Sequence, residues 1–343
     1  SNWTPGQTFF EEGCNEVTGD LKLEAGKTVE VVFEYCTKKS ENLAFTAFQA
    51  GIGKPSTAED IRHAADIAAK ADVAILCVGR SGEWDTEGWD LPDITLPGMQ
   101  DELIEAVAGV NPNTIVVLQT GGPVEMPWLN RVSAVIQAWY PGQEAGNAIA
   151  DVLFGNAEPG GRLPQTFPVR FSDHPAFSQD PEIYPGHNGK VRYEEGLFIG
   201  HKHYERLGIT PLFPFGFGLS YTRFDWSDLS VTAQGDDFIA EVSVTNTGAR
   251  AGSDVVQIYV DDAIPILPRP LREMKGFAKL HLQPGETKTA RIVLTPRSFA
   301  VFDVNNQEWI ARSGTFIIRA ARNAADFVSI AEVSRNRESR SKP

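Results

Sequence analysis

The sequence predicts an α/β domain followed by an all-β domain. Residues 55–154 alternate amphipathic helical patterns with short apolar runs, which is typical of a largely parallel sheet covered by helices. From residue 224 onward, short alternating strands separated by turns replace that pattern, as in a β-sandwich. Residues 1–53 also have a β-like pattern but contain too few strands to close a sandwich. We therefore predict the fold class α/β plus all-β.

A change of hydrophobic period at residue 55 marks the start of the α/β part. Ser56 followed by Glu59 fits a capping box. The helix that follows has one apolar face, made of Ile61, Ala64, Ala65 and Ala68. Apolar strands are predicted at 71–78, 114–118 and 134–139. One helix is predicted from Pro97 up to the break at 111–113, and another at 144–154. Cys77 lies inside the first apolar run and is expected to pack as a small hydrophobic residue.

Two further regions are predicted to form strands. Residues 28–35 alternate apolar and charged side chains and follow a turn at 23–27, so a strand is expected there. Strands of the all-β domain are expected at 238–245, 255–260, 289–294 and 315–319. Residues 155–222 are rich in Gly, Pro and aromatic residues and are interpreted as a long connector.

Composition and charge exclude several classes of partner. The chain has 343 residues, of which 42% are hydrophobic and 22% charged, as in globular proteins. Its formal charge of -14 argues against a nucleic-acid partner, and no apolar run is long enough to predict a membrane span. The cysteine spacing has no metal-site form, and the scattered histidines include one close pair, His201 and His203, which is a weak metal-site signal. Neither a metal nor another cofactor is expected. The odd cysteine count and the single sequon at residues 2–4 favour the cytoplasm over secretion. The sequence is also compatible with a homo-oligomer.

Residues 79–98 are the strongest candidate for function. This stretch of twenty residues holds five carboxylates, two tryptophans, four glycines and two prolines, directly after an apolar strand. Such a segment cannot be buried as a regular element without stranding its charges. It is typical of an ordered loop at a strand end, where α/β proteins place their chemistry. The composition is equally compatible with a solvated acidic loop.

Five motifs in the same order resemble those of glycoside hydrolase family 3 enzymes of the β-glucosidase type. They are GEWDTEGWD (82–90), PVEMPW (123–128), QAWYPGQEAG (137–146), GRLP (161–164) and PFGFGLSYT (214–222). The resemblance covers residues 55–335, which corresponds to the C-terminal part of such an enzyme. The turn at 23–27 and the strand after it also resemble the end of a PA14 domain.

The resemblance implies three domains. Residues 1–54 would be the C-terminal part of a PA14-like β domain, 55–222 an α/β sandwich domain with its connector, and 223–336 a fibronectin-type-III-like domain. It also implies a retaining β-glucosidase that acts on a β-linked glucoside or oligosaccharide. The nucleophile would belong to an N-terminal barrel domain, a partner that we do not find in this sequence, so the chain is expected to be inactive without it.

The resemblance places the general acid/base in the loop at 79–98. Glu83 follows Gly82 as in the family and is the first candidate, and Glu87 is the alternative. Trp84, Trp89 and Asp90 are expected to contact substrate. The family commonly has Arg after the aspartate, where this chain has Leu91, so a loop anchor is expected to be missing. Trp139 and Tyr140 are interpreted as packing residues.

Two alternatives stay open on the sequence. The first is a non-catalytic carbohydrate-binding or scaffold protein, because PA14-like and sandwich domains bind sugars or proteins in other contexts. The second is an inactive truncated β-glucosidase-like fragment with an incomplete sheet and an exposed strand edge.

Overall fold

The computed structural model describes residues 17–34, 50–87, 90–178 and 180–343. The chain divides into two compact units, Ser1–Tyr140 and Pro141–Pro343. In its described residues, the first unit contains two α-helices and three strands: α1 (Ala58–Ala68), β1 (Ala74–Gly79), α2 (Gln100–Val110), β2 (Thr114–Gln119) and β3 (Ala134–Gln137). The predicted alternation of helices and strands is confirmed for this unit.

The three strands form a parallel sheet in the order β1-β2-β3. Ala74 is opposite Thr114, and Ile115 is opposite Ala134. The strands therefore end at the same edge of the sheet. The segments that follow them begin side by side at that carboxyl edge, which is where open α/β sheets bind ligands.

Both helices of the first unit begin at a different residue from the one predicted. The capping box of α1 uses Thr57 and Asp60, one residue later than the predicted pair Ser56 and Glu59. The Asp60 carboxylate accepts hydrogen bonds from the hydroxyl of Thr57, from the Lys54 ammonium and from the backbone N–H of Thr57, and these bonds lower the pKa of Asp60 to about 2. Helix α2 begins at Gln100, because Pro97 still belongs to the preceding loop.

The first unit covers one face of β1 and leaves the other exposed. Ala74 and Leu76 pack against α1 and α2 through Ala68, Val107 and Leu103. Side chains alternate between the faces of a strand, so Ile75 and Cys77 point to the opposite face. Ile75 is 44% exposed, and Cys77 is exposed with a free thiol. The prediction that Cys77 is packed was therefore wrong, since β1 lies at the sheet edge and the described residues cover one of its faces.

The strand expected at 28–35 is not formed in its described part, residues 28–34. The turn before it is present, with Gly26 at φ 81° and a hydrogen bond from Lys27 N–H to the Glu24 carbonyl. Val29 and Val31 are exposed, although the pattern placed them on a buried face. A strand needs a paired neighbour and an apolar face to bury, and no described strand pairs with this segment. The PA14-like domain at 1–54 stays a prediction.

The described residues of the second unit form two short α-helices followed by a β-sandwich. The helices are α3 (Ala145–Leu153) and α4 (His201–Leu207). The strands are β4 (Phe224–Trp226), β5 (Ser230–Gln234), β6 (Asp237–Asn246), β7 (Gly252–Asp262), β8 (Arg272–Leu282), β9 (Thr287–Leu294), β10 (Val301–Asp303), β11 (Glu308–Ala311), β12 (Gly314–Asn323), β13 (Asp326–Arg335) and β14 (Ser339–Ser341). The strands expected at 238–245, 255–260, 289–294 and 315–319 lie within β6, β7, β9 and β12.

Two main sheets enclose the core of the second unit. One sheet has the order β13-β12-β7-β8, and in the other β6 pairs with β4 and β5 along one edge and with β9 along the other. Strand β7 is buried along its whole length because it is central in its sheet. The inward side chains of both sheets form one apolar cluster, which includes Val242, Val244, Ile258, Phe316 and Ile318. The all-β prediction is confirmed. Within the described residues, no helix combines the length and the apolar character needed to cross a bilayer.

Replacing Ile258 by Ala is expected to destabilise the sandwich by about 2–5 kcal/mol, because it removes buried methylene groups and leaves a cavity. Ile258 is fully buried between the sheets, whereas Ile330 is 60% exposed. The matched control Ile330→Ala should change the free energy of unfolding by less than about 0.5 kcal/mol. Urea unfolding of both variants measures the difference, and equal effects would contradict the assigned core.

His201 is expected to make the second unit less stable in acid. Its ring stacks on Phe215 and meets Tyr259 edge-on, and burial lowers its pKa to about 4, with a smaller contribution from Lys202. Between pH 6.5 and 4 the unfolded chain therefore binds more protons at this residue than the folded chain does, so stability falls as the pH is lowered. The full effect is on the order of 3 kcal/mol.

His201→Phe keeps an aromatic ring and removes the titrating group. Thermal melts of the wild type and the variant at pH 7 and pH 4.5 should show a smaller acid loss in the variant. His187→Phe, at an exposed position of the same unit, should keep the wild-type pH dependence. An unchanged acid loss in His201→Phe would show that the loss arises elsewhere.

Candidate active-site loop

The candidate loop, residues 80–98, leaves the carboxyl end of β1 and leads into α2. The side-chain amide of Gln100 holds its two ends together. Gly79 N–H donates to Gln100 Oε1 at 2.7 Å, and Gln100 Nε2 donates to the carbonyls of Gly79 and Pro97, both at 2.9 Å. Near the loop's end, Ile94 and Leu96 are buried. The loop is therefore closed at its base by hydrogen bonds and by apolar burial.

The motif at 123–128 supports the end of the loop. Glu125 N–H donates to the Ile94 carbonyl at 2.9 Å. Trp128 is fully buried, and its indole N–H donates to Asp101 Oδ1 on α2 at 2.7 Å. Burial raises the pKa of Asp101, and the hydrogen bond from Trp128 opposes that rise. This motif therefore fixes the start of α2 and the loop segment before it.

Arg80, the first residue of the loop, is buried and faces back into it. Its side chain is 1% exposed. Nε and Nη2 donate to the Thr95 carbonyl at 3.3 and 3.1 Å, and Nη1 lies 3.6 Å from Asp85 Oδ1. A buried guanidinium requires such partners, because an unpaired charge away from water is costly. Arg80 thus connects the start, the middle and the end of the loop.

Asp85 connects the loop to the two neighbouring strand ends. Its Oδ2 accepts a hydrogen bond from Gly121 N–H, after β2, at 2.7 Å. It also accepts one from the hydroxyl of Tyr140, after β3, at 2.6 Å. The same hydroxyl lies 2.9 Å from the Arg80 carbonyl oxygen. All three segments at the carboxyl edge of the sheet therefore meet at one carboxylate, whose side chain is 12% exposed.

The predicted site residues lie around this anchor and point outward. Glu83, Trp84, Glu87 and Asp90 are all exposed. Glu83 belongs to a tight turn in which the N–H groups of Trp84 and Asp85 both donate to the Ser81 carbonyl at 3.0 Å. The described residues provide no hydrogen bond or ion pair to the carboxylates of Glu83 and Glu87. Trp89 lies outside the described residues.

Asp90 directly precedes Leu91, the position at which an arginine was expected from the family resemblance. Among the residues that the structure describes, none forms an ion pair with the Asp90 carboxylate. A guanidinium is still present in the loop, but it is that of Arg80 and it pairs with Asp85. The loss of a loop anchor at Leu91 stays a prediction.

Sequence reasoning missed the residues that hold the loop in place. Tyr140 was interpreted as packing, but its hydroxyl bonds to Asp85. Arg80 and Gly121 were not singled out. All three lie within three residues of the end of a predicted strand, and parallel strands end at a common edge. The common edge of parallel strands is therefore a signal from which the proximity of these three residues could have been predicted.

Comparisons with known proteins identify the family. Residues 7–221 match the family described as the glycosyl hydrolase family 3 C-terminal domain. The chain belongs to glycoside hydrolase family 3. Residues 254–324 match a fibronectin type III-like domain, which confirms the second part of the predicted fold class. The match from residue 7 overlaps the segment for which a PA14-like domain was predicted, and that domain stays a prediction.

Relatives in the family include named β-glucosidases. One from Rhizobium radiobacter is 51% identical over 330 residues, which are 95% of this chain and 40% of the relative. One from Kluyveromyces marxianus is 42% identical over 341 residues, which are 96% of this chain and 40% of the relative. The crystal structure of a K. marxianus β-glucosidase in complex with glucose matches with a TM-score of 0.81 at 41% identity, over 85% of this chain and 35% of that one. The chain thus spans about 40% of the length of these relatives.

Tyr140 is expected to ionise at unusually high pH. Burial and the adjacent Asp85 carboxylate raise its pKa from 10.0 to about 12. Because the folded pKa is above the unfolded one, the folded state retains the proton longer, and stability falls as the pH rises from 10 to 12. The difference in ultraviolet tyrosinate absorbance between the wild type and Tyr140→Phe should therefore show a transition near pH 12. A transition near pH 10 would contradict the hydrogen bond to Asp85.

Proposed function

We propose that this chain is the C-terminal part of a retaining β-glucosidase that hydrolyses terminal β-D-glucosides. In this proposal the loop at 80–98 provides the general acid/base, and a barrel domain outside these residues provides the nucleophile. Family membership and the named relatives support the reaction class. The arrangement of the loop supports its role.

One observation carries the proposal: the carboxylates of the loop divide into an inward and an outward set. Asp85 points inward and is bonded to Gly121 and Tyr140. Glu83 and Glu87, two residues before and two residues after it, are exposed at the carboxyl edge of the sheet. A proton donor must be able to reach the glycosidic oxygen, so an exposed carboxylate on an anchored loop meets the requirement and Asp85 does not. Glu83 is the first candidate and Glu87 the second.

The mechanism requires this carboxyl group to act twice. It first protonates the leaving oxygen while the nucleophile of the barrel attacks the anomeric carbon and forms a glycosyl-enzyme. It then takes a proton from the water that hydrolyses this intermediate. Retention requires the two carboxyl groups to lie about 5–5.5 Å apart. Covering the loop with the barrel and the substrate would desolvate the glutamate and raise its pKa, as the acid step needs.

A chimera tests the proposal. It joins the part of the R. radiobacter β-glucosidase that this chain does not match to residues 1–343 of this chain, and cellobiose hydrolysis is measured. The chimera should be active, and the chain alone inactive. Glu83→Gln or Glu87→Gln should lower kcat/KM for cellobiose by about 10²–10⁴-fold, because the amide cannot donate the proton. The matched control Glu102→Gln, at an exposed position on α2, should be unaffected.

Azide decides between the two glutamates. With 2,4-dinitrophenyl β-D-glucoside as substrate, the variant without its acid/base should accumulate the glycosyl-enzyme, and azide should restore turnover and yield β-glucosyl azide. Rescue of Glu87→Gln and not of Glu83→Gln would move the assignment to Glu87. Full cellobiose activity in both variants would overturn the role of the loop, and hydrolysis by the chain alone would overturn the need for a barrel nucleophile.

A further inference from the structure

We propose that Asp85 and Tyr140 are positioning residues, which hold the proton-donating glutamate of the loop at the distance that proton transfer requires. This inference rests on the proposed function, because it needs Glu83 or Glu87 to be the donor. It assigns a role to one carboxylate and one hydroxyl that do not contact the substrate. Their effect on the reaction passes through the backbone between residues 83 and 87.

The position of Asp85 in the chain is the first argument. It lies two residues from each candidate glutamate, so it is the anchored point closest to both. Its backbone N–H bonds to the Ser81 carbonyl at 3.0 Å, within the turn that contains Glu83. Movement of the Asp85 side chain therefore moves the backbone that carries either glutamate.

The contacts of Asp85 are the second argument. A backbone N–H at 2.7 Å and a hydroxyl at 2.6 Å converge on Oδ2, and the Arg80 guanidinium lies 3.6 Å from Oδ1. Hydrogen bonds to an ionised carboxylate are stronger than those between neutral groups. The donors come from three chain segments that follow β1, β2 and β3, so the carboxylate is held from three sides. A single hydrogen-bond donor would leave the Asp85 carboxylate free to rotate about that bond.

The space around the carboxylate is the third argument. A Cβ at Gly121 would lie 3.1 Å from Asp85 Oδ2 and 3.2 Å from Tyr140 Cε2. Both distances are shorter than ordinary van der Waals contact, so a methyl group there would displace the carboxylate or the ring. The Asp85 carboxylate is therefore packed tightly between Gly121 and the Tyr140 ring, which restricts its position.

The backbone before Tyr140 is the fourth argument. Trp139 has φ 57°, in the left-handed region that side chains other than glycine rarely adopt. Such strain persists where the surroundings determine the conformation. Here it turns the chain at the end of β3, directly before the residue whose hydroxyl meets Asp85.

Position matters because proton transfer is sensitive to distance. A displacement of about 1 Å of a reacting group can cost on the order of 10²-fold in rate. The effect depends on the leaving group. An alcohol leaves as an alkoxide unless it is protonated, whereas 2,4-dinitrophenolate leaves without a proton. A misplaced proton donor therefore slows cellobiose hydrolysis and leaves the cleavage of 2,4-dinitrophenyl β-D-glucoside nearly unchanged.

Three variants in the chimera test the inference. Tyr140→Phe removes one hydroxyl, Asp85→Asn removes the charge, and Gly121→Ala crowds the anchor without removing any of its groups. Each should lower kcat/KM for cellobiose by about 10–100-fold and change kcat/KM for the dinitrophenyl glucoside by less than about threefold. Tyr221→Phe is the matched control, since it removes a phenolic hydroxyl whose hydrogen bond goes to the Val152 carbonyl. It should leave both values unchanged.

The outcomes separate this inference from the proposed function. A general loss of folded protein lowers the apparent kcat/KM for both substrates by the same factor. Equal losses of kcat/KM for the two substrates in Tyr140→Phe would therefore overturn the positioning role. No loss on cellobiose in Tyr140→Phe and Gly121→Ala would also overturn it, even if Asp85→Asn does not fold. If neither Glu83→Gln nor Glu87→Gln changes the ratio between the two substrates, the proposed function itself fails. If one of them changes that ratio and Tyr140→Phe does not, the positioning role alone fails.

Discussion

Burial of the Arg80 guanidinium is the constraint from which the arrangement of the candidate site follows. A cation that is 1% exposed needs partners, and the nearest available ones lie within its own loop. Satisfying it with the Thr95 carbonyl folds the end of the loop back onto its start. Pairing it with Asp85 Oδ1 directs that carboxylate inward and leaves Oδ2 for the segments after β2 and β3.

The parallel sheet determines which residues Asp85 can reach. Because β1, β2 and β3 run in the same direction, the residues that follow them emerge at one edge. Gly121 and Tyr140 are 36 and 55 residues from Asp85 in the chain, yet both donate to one oxygen atom. The exposed glutamates contribute little to the stability of this arrangement, since unpaired charges in water interact weakly. Asp85 thus anchors the segment, while Glu83 and Glu87 remain exposed to solvent.

In the sandwich, two buried aspartates form ion pairs with arginines. Asp261 and Asp262 end the central strand β7, and both are buried. Arg319 pairs with Asp261, while Arg269 and Arg312 pair with Asp262. Burial raises the pKa of Asp261, and the arginine beside it favours the charged form. These two buried aspartates are matched by arginines, so the net charge of -14 comes from residues outside this cluster.

The fold class, the order of strands and helices between residues 55 and 154 and the location of the candidate loop follow from the sequence alone. These features depend on local periodicity and composition, as the apolar run of β2 and the alternation in β6 show. The tertiary structure decided which carboxylate of the loop points inward, that Cys77 is exposed, that residues 28–34 form no strand, and that Tyr140 bonds to Asp85. These features depend on contacts between segments that are far apart in the sequence. Glu83, Asp85 and Glu87 have similar side chains and nearly the same position in the chain, so the neighbours brought by folding distinguish the anchor from the exposed acids.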